Sequence, residues 1–91
     1  MTAARNSYLM PELYHHMGAK LYKRRKRLGL THKQIAERIQ AKGYRFSHQQ
    51  ISKIESGDIR VPFDKLWLLA EAMFTTLPYL LEGFTPNARP D

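Results

Sequence analysis

Apolar residues recur at helical spacing along most of this chain. Leu13, Met17, Leu21 and Leu28 step by four and seven, which stacks them on one face of a first helix, and Gly29 follows as a C-terminal cap. Thr31 suits the N-cap of a second helix, and Gln34 three residues on completes a capping-box pattern. Ile35, Ala36 and Ile39 form the inward stripe of that helix, and Gly43 marks its end. Ser47 caps a third helix with Ile51 and Ile54 inward, stopped by Ser56-Gly57-Asp58. Pro62 suits the first turn of a fourth, whose buried stripe is Leu66, Leu69, Ala70 and Met73. Thr75 or Thr76 caps a short fifth helix through Pro78, Leu80 and Leu81, closed by Gly83. The pattern predicts an all-α fold of five short helices, with no internal repeat. Residues 1–16 read as a loosely packed N-terminal extension, 17–84 as the domain and 85–91 as a flexible tail with two prolines.

Ninety-one residues allow one small domain, and 43% apolar against 25% charged is a globular rather than a disordered composition. The absence of cysteine removes disulfides and thiolate chemistry. The apolar run at 66–70 is far short of the roughly 18–20 residues of a membrane span. Pro11-Glu12 interrupts any apolar leader segment, so the expectation is a cytoplasmic protein without a membrane partner. Charge is unevenly placed. Of the formal +7, residues 17–46 carry ten basic side chains against Glu37 alone, whereas residues 66–91 are net −2. Such asymmetry suggests one face for a polyanion and another for the core or a protein partner, against the plainer reading of a solvated basic helix face. The four histidines, His15, His16, His32 and His48, lack the cysteines or clustered acids that would complete a metal site, so neither metal nor cofactor is expected. Enzyme chemistry has no support either, because no nucleophile–base pair or phosphate-binding glycine loop is present.

With Ile51 and Ile54 inward, His48, Gln49, Ser52 and Lys53 fall on the outward arc of the third helix. A glutamine can bond an adenine edge in bidentate fashion, and lysine or histidine can donate to guanine O6 or N7. Exposed polar residues on a helix are also commonly just solvated. Arg24 and Arg25 flank the apolar stripe of the first helix, where an arginine at a core margin calls for a carboxylate. Glu55 is the available acid on the third helix.

Thr31-His32-Lys33-Gln34-Ile35-Ala36, followed by Ser47-His48-Gln49-Gln50-Ile51-Ser52-Lys53-Ile54-Glu55-Ser56-Gly57, resembles the lambda-repressor/Cro-like (XRE-type) helix-turn-helix family over roughly residues 17–82. The resemblance implies a five-helix domain whose second and third helices form the motif, with the third in the DNA major groove and two subunits on a palindromic operator. It implies base contacts from His48, Gln49, Ser52 and Lys53, and backbone contacts from Thr31, His32, Ser47 and, with the loop around Gly57, Arg60. It also pairs Arg25 with Glu55 in a structural salt bridge. The chain departs from the pattern in one place. Ala36 and Ile51 stand fifteen residues apart, several more than the usual motif has, the extra residues lying within 40–46. Either the second helix runs an extra turn or the turn bulges with Tyr44 and Phe46 over the core, and Arg45 or Lys42 could then reach a phosphate that the usual motif does not touch.

The function implied is a sequence-specific, double-stranded-DNA-binding transcriptional regulator, a repressor acting as a homodimer. Its dimer contacts would come from Trp67, Phe74, Leu77, Tyr79, Leu81 and Phe84, unless Trp67 and Phe74 simply cap the core. The alternative is an antitoxin-type module that binds a small protein partner through residues 1–16 and autoregulates its operon.

Overall fold

A computed structural model describes residues 10–85. Its five helices are α1 (Pro11–Leu28), α2 (His32–Gln40), α3 (His48–Ser56), α4 (Phe63–Ala72) and α5 (Leu77–Leu81), and the described residues contain no strand. The expected all-α, five-helix architecture is therefore present. The caps follow the sequence. Thr31 Oγ1 accepts from the Gln34 amide at 3.1 Å, and Gln34 Oε1 accepts from the Thr31 amide at 2.9 Å. Thr76 caps α5 by accepting from the Tyr79 amide at 3.3 Å.

The α1 helix crosses behind α3 and also packs on α5, while α2 contacts α3 and α4. Leu21, Ile35, Ile51, Leu69, Met73 and Leu80 are at most 0% exposed, drawing one side chain or more from every helix into a single core. The crossing of α1 over α3 is close because Gly18 has no side chain. A methyl group there would overlap the backbone carbonyl oxygens of Ile54 and Glu55. At the C-terminus of α3, Gly57 adopts φ +79°, and a β-carbon on it would collide with His15 of α1. The back of α3 thus meets α1 backbone to backbone.

Several expectations shift. The boundary expected between residues 16 and 17 falls inside α1, whose first turns continue the apolar stripe with Leu13 and Tyr14 against the core. These turns also hold α5: His16 Nε2 donates to the Glu82 carbonyl at 2.8 Å, and Lys20 pairs with the Glu82 carboxylate at 3.4 Å. The expected extension at 1–9 and the tail at 86–91 lie outside the described residues. The α2 helix ends at Gln40 rather than Gly43, because the Lys42 and Gly43 amides close tight turns onto Ile39 and Gln40. The chain then runs without regular secondary structure through residues 44–46 to the α3 cap at Ser47. This carries Phe46 into the core at 3% exposure but leaves Tyr44 at 52%, so of the two aromatics of the bulged turn only Phe46 is tucked over the core. Pro62 serves as the N-cap of α4 instead of entering its first turn. Trp67 and Phe74 do not cap the core either; they stand 54% and 65% exposed, Trp67 at the α4–α5 cleft and Phe74 beside α2, its ring centre 4.8 Å from the Arg38 guanidinium.

Substituting Gly18→Ala forces α1 away from α3 and costs about 1–3 kcal/mol, as overpacking of a filled core does. Thermal unfolding followed by far-ultraviolet circular dichroism should show a melting temperature lower by roughly 5–15 °C, and an unchanged midpoint would contradict the close crossing.

Candidate nucleic-acid interface

Helix α3 is fixed at its start by a reciprocal pair of hydrogen bonds. Ser47 Oγ accepts from the Gln50 amide and Gln50 Oε1 accepts from the Ser47 amide, both at 3.2 Å. This is a capping box, legible in Ser47-x-x-Gln50 but not anticipated, and it turns the Gln50 side chain back toward the cap. Ile51 and Ile54 then set the inward face, and one exposed face carries His48, Gln49, Ser52 and Lys53. Among the described residues the side chains of these four make no hydrogen bond or ion pair with the protein, so their donors and acceptors are open to a ligand.

Behind that face lies a buried ionic cluster. The Arg25 guanidinium donates twice to Glu55, Nε to Oε2 at 2.7 Å and NH2 to Oε1 at 2.9 Å, with the two side chains 8% and 5% exposed. Its third nitrogen donates to the Leu30 carbonyl at 2.9 Å, which fixes the link between α1 and α2. Hydrogen bonding to Glu55 raises the Arg25 guanidinium above its ordinary value, outweighing the opposite effect of its burial. The fork of Arg25 matches the carboxylate in the bidentate geometry that makes such pairs strong.

His32 joins this cluster, which sequence reasoning did not foresee. Its Nε2 lies 2.8 Å from Glu55 Oε1, so that nitrogen carries the proton and donates. The ring expected to face a phosphate is therefore turned inward, and its side chain is 30% exposed. Nothing in the spacing of residues 32 and 55 signals the contact. Arg24 was expected to seek a carboxylate and instead donates to the Met73 and Phe74 carbonyls, both at 2.8 Å, closing the C-terminal end of α4.

The other backbone-contact candidates remain on the surface. Thr31 is exposed at the N-terminus of α2, where free amides and the positive end of the helix dipole favour an anion. Arg45 is exposed in the lengthened turn, two residues before the α3 cap, and Arg60 is exposed in the segment joining α3 to α4. Neither arginine makes an ion pair among the described residues. Of the basic run of α1, Lys23, Lys26 and Arg27 are exposed, while Lys20 is drawn to Glu82 and lies 4.7 Å from the centre of the Tyr79 ring.

Residues 21–80 match the helix-turn-helix family. This chain belongs to that family. The matched span begins within α1 and ends within α5, and so takes in the whole helix-turn-helix unit of α2 and α3. Two similar curated proteins are an uncharacterised helix-turn-helix-type transcriptional regulator of Rickettsia conorii and another of Rickettsia prowazekii, each 34% identical over 74 residues. Each alignment covers 81% of this chain but only 55% and 53% of the respective relative, so the helix-turn-helix chain spans about half their length. No solved structure matches it. In this helix-turn-helix unit the cluster of Arg25, His32 and Glu55 ties α1, α2 and α3 together behind the exposed face of α3. No helix among the described residues is long and apolar enough to cross a membrane.

Replacing Glu55→Ala leaves Arg25 buried without its carboxylate, which costs about 3–5 kcal/mol. A thermal melt displaced by less than a few degrees would remove the pair from the structural framework.

Proposed function

We propose that this helix-turn-helix protein is a sequence-specific, double-stranded-DNA-binding transcriptional repressor that acts as a homodimer. The observation that carries the reading is the exposed face of α3. His48, Gln49, Ser52 and Lys53 stand free of protein partners on a helix locked at its N-terminus by a capping box and from behind by Glu55. Inserted in a major groove, Gln49 reads an adenine edge, and His48 and Lys53 donate to guanine, with Ser52 beside them. Thr31, Ser47, Arg45 and Arg60 hold the flanking backbone and carry no sequence information. His32 contributes by its hydrogen bond to Glu55 behind α3, not by a contact of its own with the backbone.

The dimer reading is supported by the other side of the molecule. Trp67, Phe74 and Leu81 are exposed, and a cleft of about 290 Å³ opens between α4 and α5, lined by Trp67, Ala70, Leu77 and Pro78. A second copy seated there makes a two-fold symmetric pair whose α3 helices address two half-sites.

Selection of bound duplexes from a random pool should return a palindrome with half-site centres about 10–10.5 base pairs apart, or a multiple of that spacing. On that duplex Gln49→Ala should lose about 1–3 kcal/mol and relax preference at one base position; equal weakening on every sequence removes Gln49 as a reader. Arg60→Ala should weaken binding to all duplexes and reduce the slope of log affinity against log salt by about one, and an unchanged slope takes Arg60 out of the backbone contact.

A further inference from the structure

The residues that lengthen the α2–α3 turn build a second feature beside α3. Phe46 is buried and fixes the end of the turn, and Gln40 Nε2 donates to the Phe46 carbonyl at 2.6 Å, which holds the turn against α2. Next to these anchors Tyr44 and Arg45 are exposed on irregular backbone. Across from them, in the first turn of α4, Lys65 lays its ammonium 5.8 Å from the centre of the Phe46 ring. An open groove of about 550 Å³ is lined by Tyr44, Arg45, Phe46 and Lys65 together with Ser47 and Gln50 of the α3 capping box.

The lining is one-sided in charge. Arg45 and Lys65 supply two cations and Tyr44 a phenol, and no carboxylate lines the groove. Neither the Tyr44 hydroxyl nor the Arg45 guanidinium has a hydrogen-bond or ion-pair partner among the described residues, and the only contact of the Lys65 ammonium there is the aromatic ring. The neighbouring acid, Asp64, accepts from the Lys65 backbone amide at 2.7 Å. A guanidinium, an ammonium and a phenol converging on one open groove suit phosphodiester oxygens, with the tyrosine ring able to pack on an adjoining sugar.

We propose that this groove binds the DNA backbone immediately beyond the bases addressed by the N-terminal end of α3, through Tyr44, Arg45 and Lys65. It rests on the reading of α3 as the base-contacting helix, because Ser47 and Gln50 place the groove next to His48 and Gln49. The extra residues of the turn thus extend the footprint along one strand, adding a phosphate grip from α4 to the one supplied by Arg45.

The test is fluorescence anisotropy of the full chain on the selected duplex across a series of potassium chloride concentrations. The double substitution R45Q/K65Q should lower the magnitude of the log affinity–log salt slope by about two, since each phosphate contact contributes roughly 0.9. Phosphate-ethylation interference should lose a site just outside each half-site in the same variant. Tyr44→Ala should weaken binding about ten-fold with the slope unchanged, as expected for a neutral donor to a charged oxygen. If R45Q/K65Q changes the slope by less than about half a unit while Arg60→Ala still lowers it by about one, the groove does not hold DNA and the reading of α3 survives. A parent protein with no salt-dependent affinity for any duplex overturns both.

Discussion

The Glu55 carboxylate accepts hydrogen bonds from three nitrogens on two other helices, Arg25 Nε and NH2 of α1 and His32 Nε2 of α2. Removing a carboxylate from water is costly, and only the close fit of the guanidinium fork and the third donor offsets that cost here. The consequence is mechanical. Leu30, one turn after α1, is held by the same guanidinium, so the positions of α1, the link, α2 and α3 are coupled through one side chain. Apolar packing alone allows helices to slide by small amounts with modest penalty, whereas a bidentate pair at 2.7 and 2.9 Å does not. The base-reading role proposed for α3 needs that restraint, because base-edge hydrogen bonds tolerate little displacement.

The arrangement separates holding from reading. Acid and base are paired on the buried side of α3, and the exposed side shows three uncharged or weakly basic side chains and the cation Lys53, whose hydrogen-bonding groups are unoccupied within the described residues. Bulk positive charge lies elsewhere, on α1 and in the lengthened turn. In the proposed function, charges there raise affinity for any polyanion and accelerate encounter without discriminating sequence, and the discriminating contacts fall to His48, Gln49, Ser52 and Lys53. The mildly acidic, apolar end of the chain folds into α4 and α5, on whose surface Trp67 and Phe74 are left in water. Helix α1 links the two regions: Gly18 brings it against the α3 backbone, and His16 and Lys20 bring it to Glu82 beyond α5.

What could be read from the sequence was whatever depends on local spacing. The stripes Ile35–Ala36–Ile39 and Ile51–Ile54, the caps at Thr31, Ser47 and Thr76, and the outward arc of His48, Gln49, Ser52 and Lys53 all follow from helical period and cap chemistry, and the structure has them where expected. The Arg25–Glu55 pair was reachable because an arginine at a core margin calls for a carboxylate and the family resemblance pairs Arg25, rather than Arg24, with the acid on α3. His32 was not, since its approach to Glu55 depends on the angle between α2 and α3, which no local pattern encodes. Arg24 failed for a related reason: a helix C-terminus presents carbonyls that serve a guanidinium as well as a carboxylate does. The lengthened turn was visible as extra residues, but which aromatic would turn inward was not. Tyr44 and Phe46 stand two apart in a stretch without regular structure, where side-chain direction follows no fixed period, and the bond from Gln40 to the Phe46 carbonyl fixes the one that is buried.

The central claim is that α3, held by Glu55, is the surface that meets DNA. Cross-saturation nuclear magnetic resonance on the deuterated, 15N-labelled chain bound to its selected duplex measures this directly, because it reports which amides lie next to the nucleic-acid protons. The account predicts the largest intensity losses at His48, Gln49, Ser52 and Lys53, with small losses on α4 around Trp67. Losses centred on Trp67 and Phe74, with α3 unaffected, would contradict it.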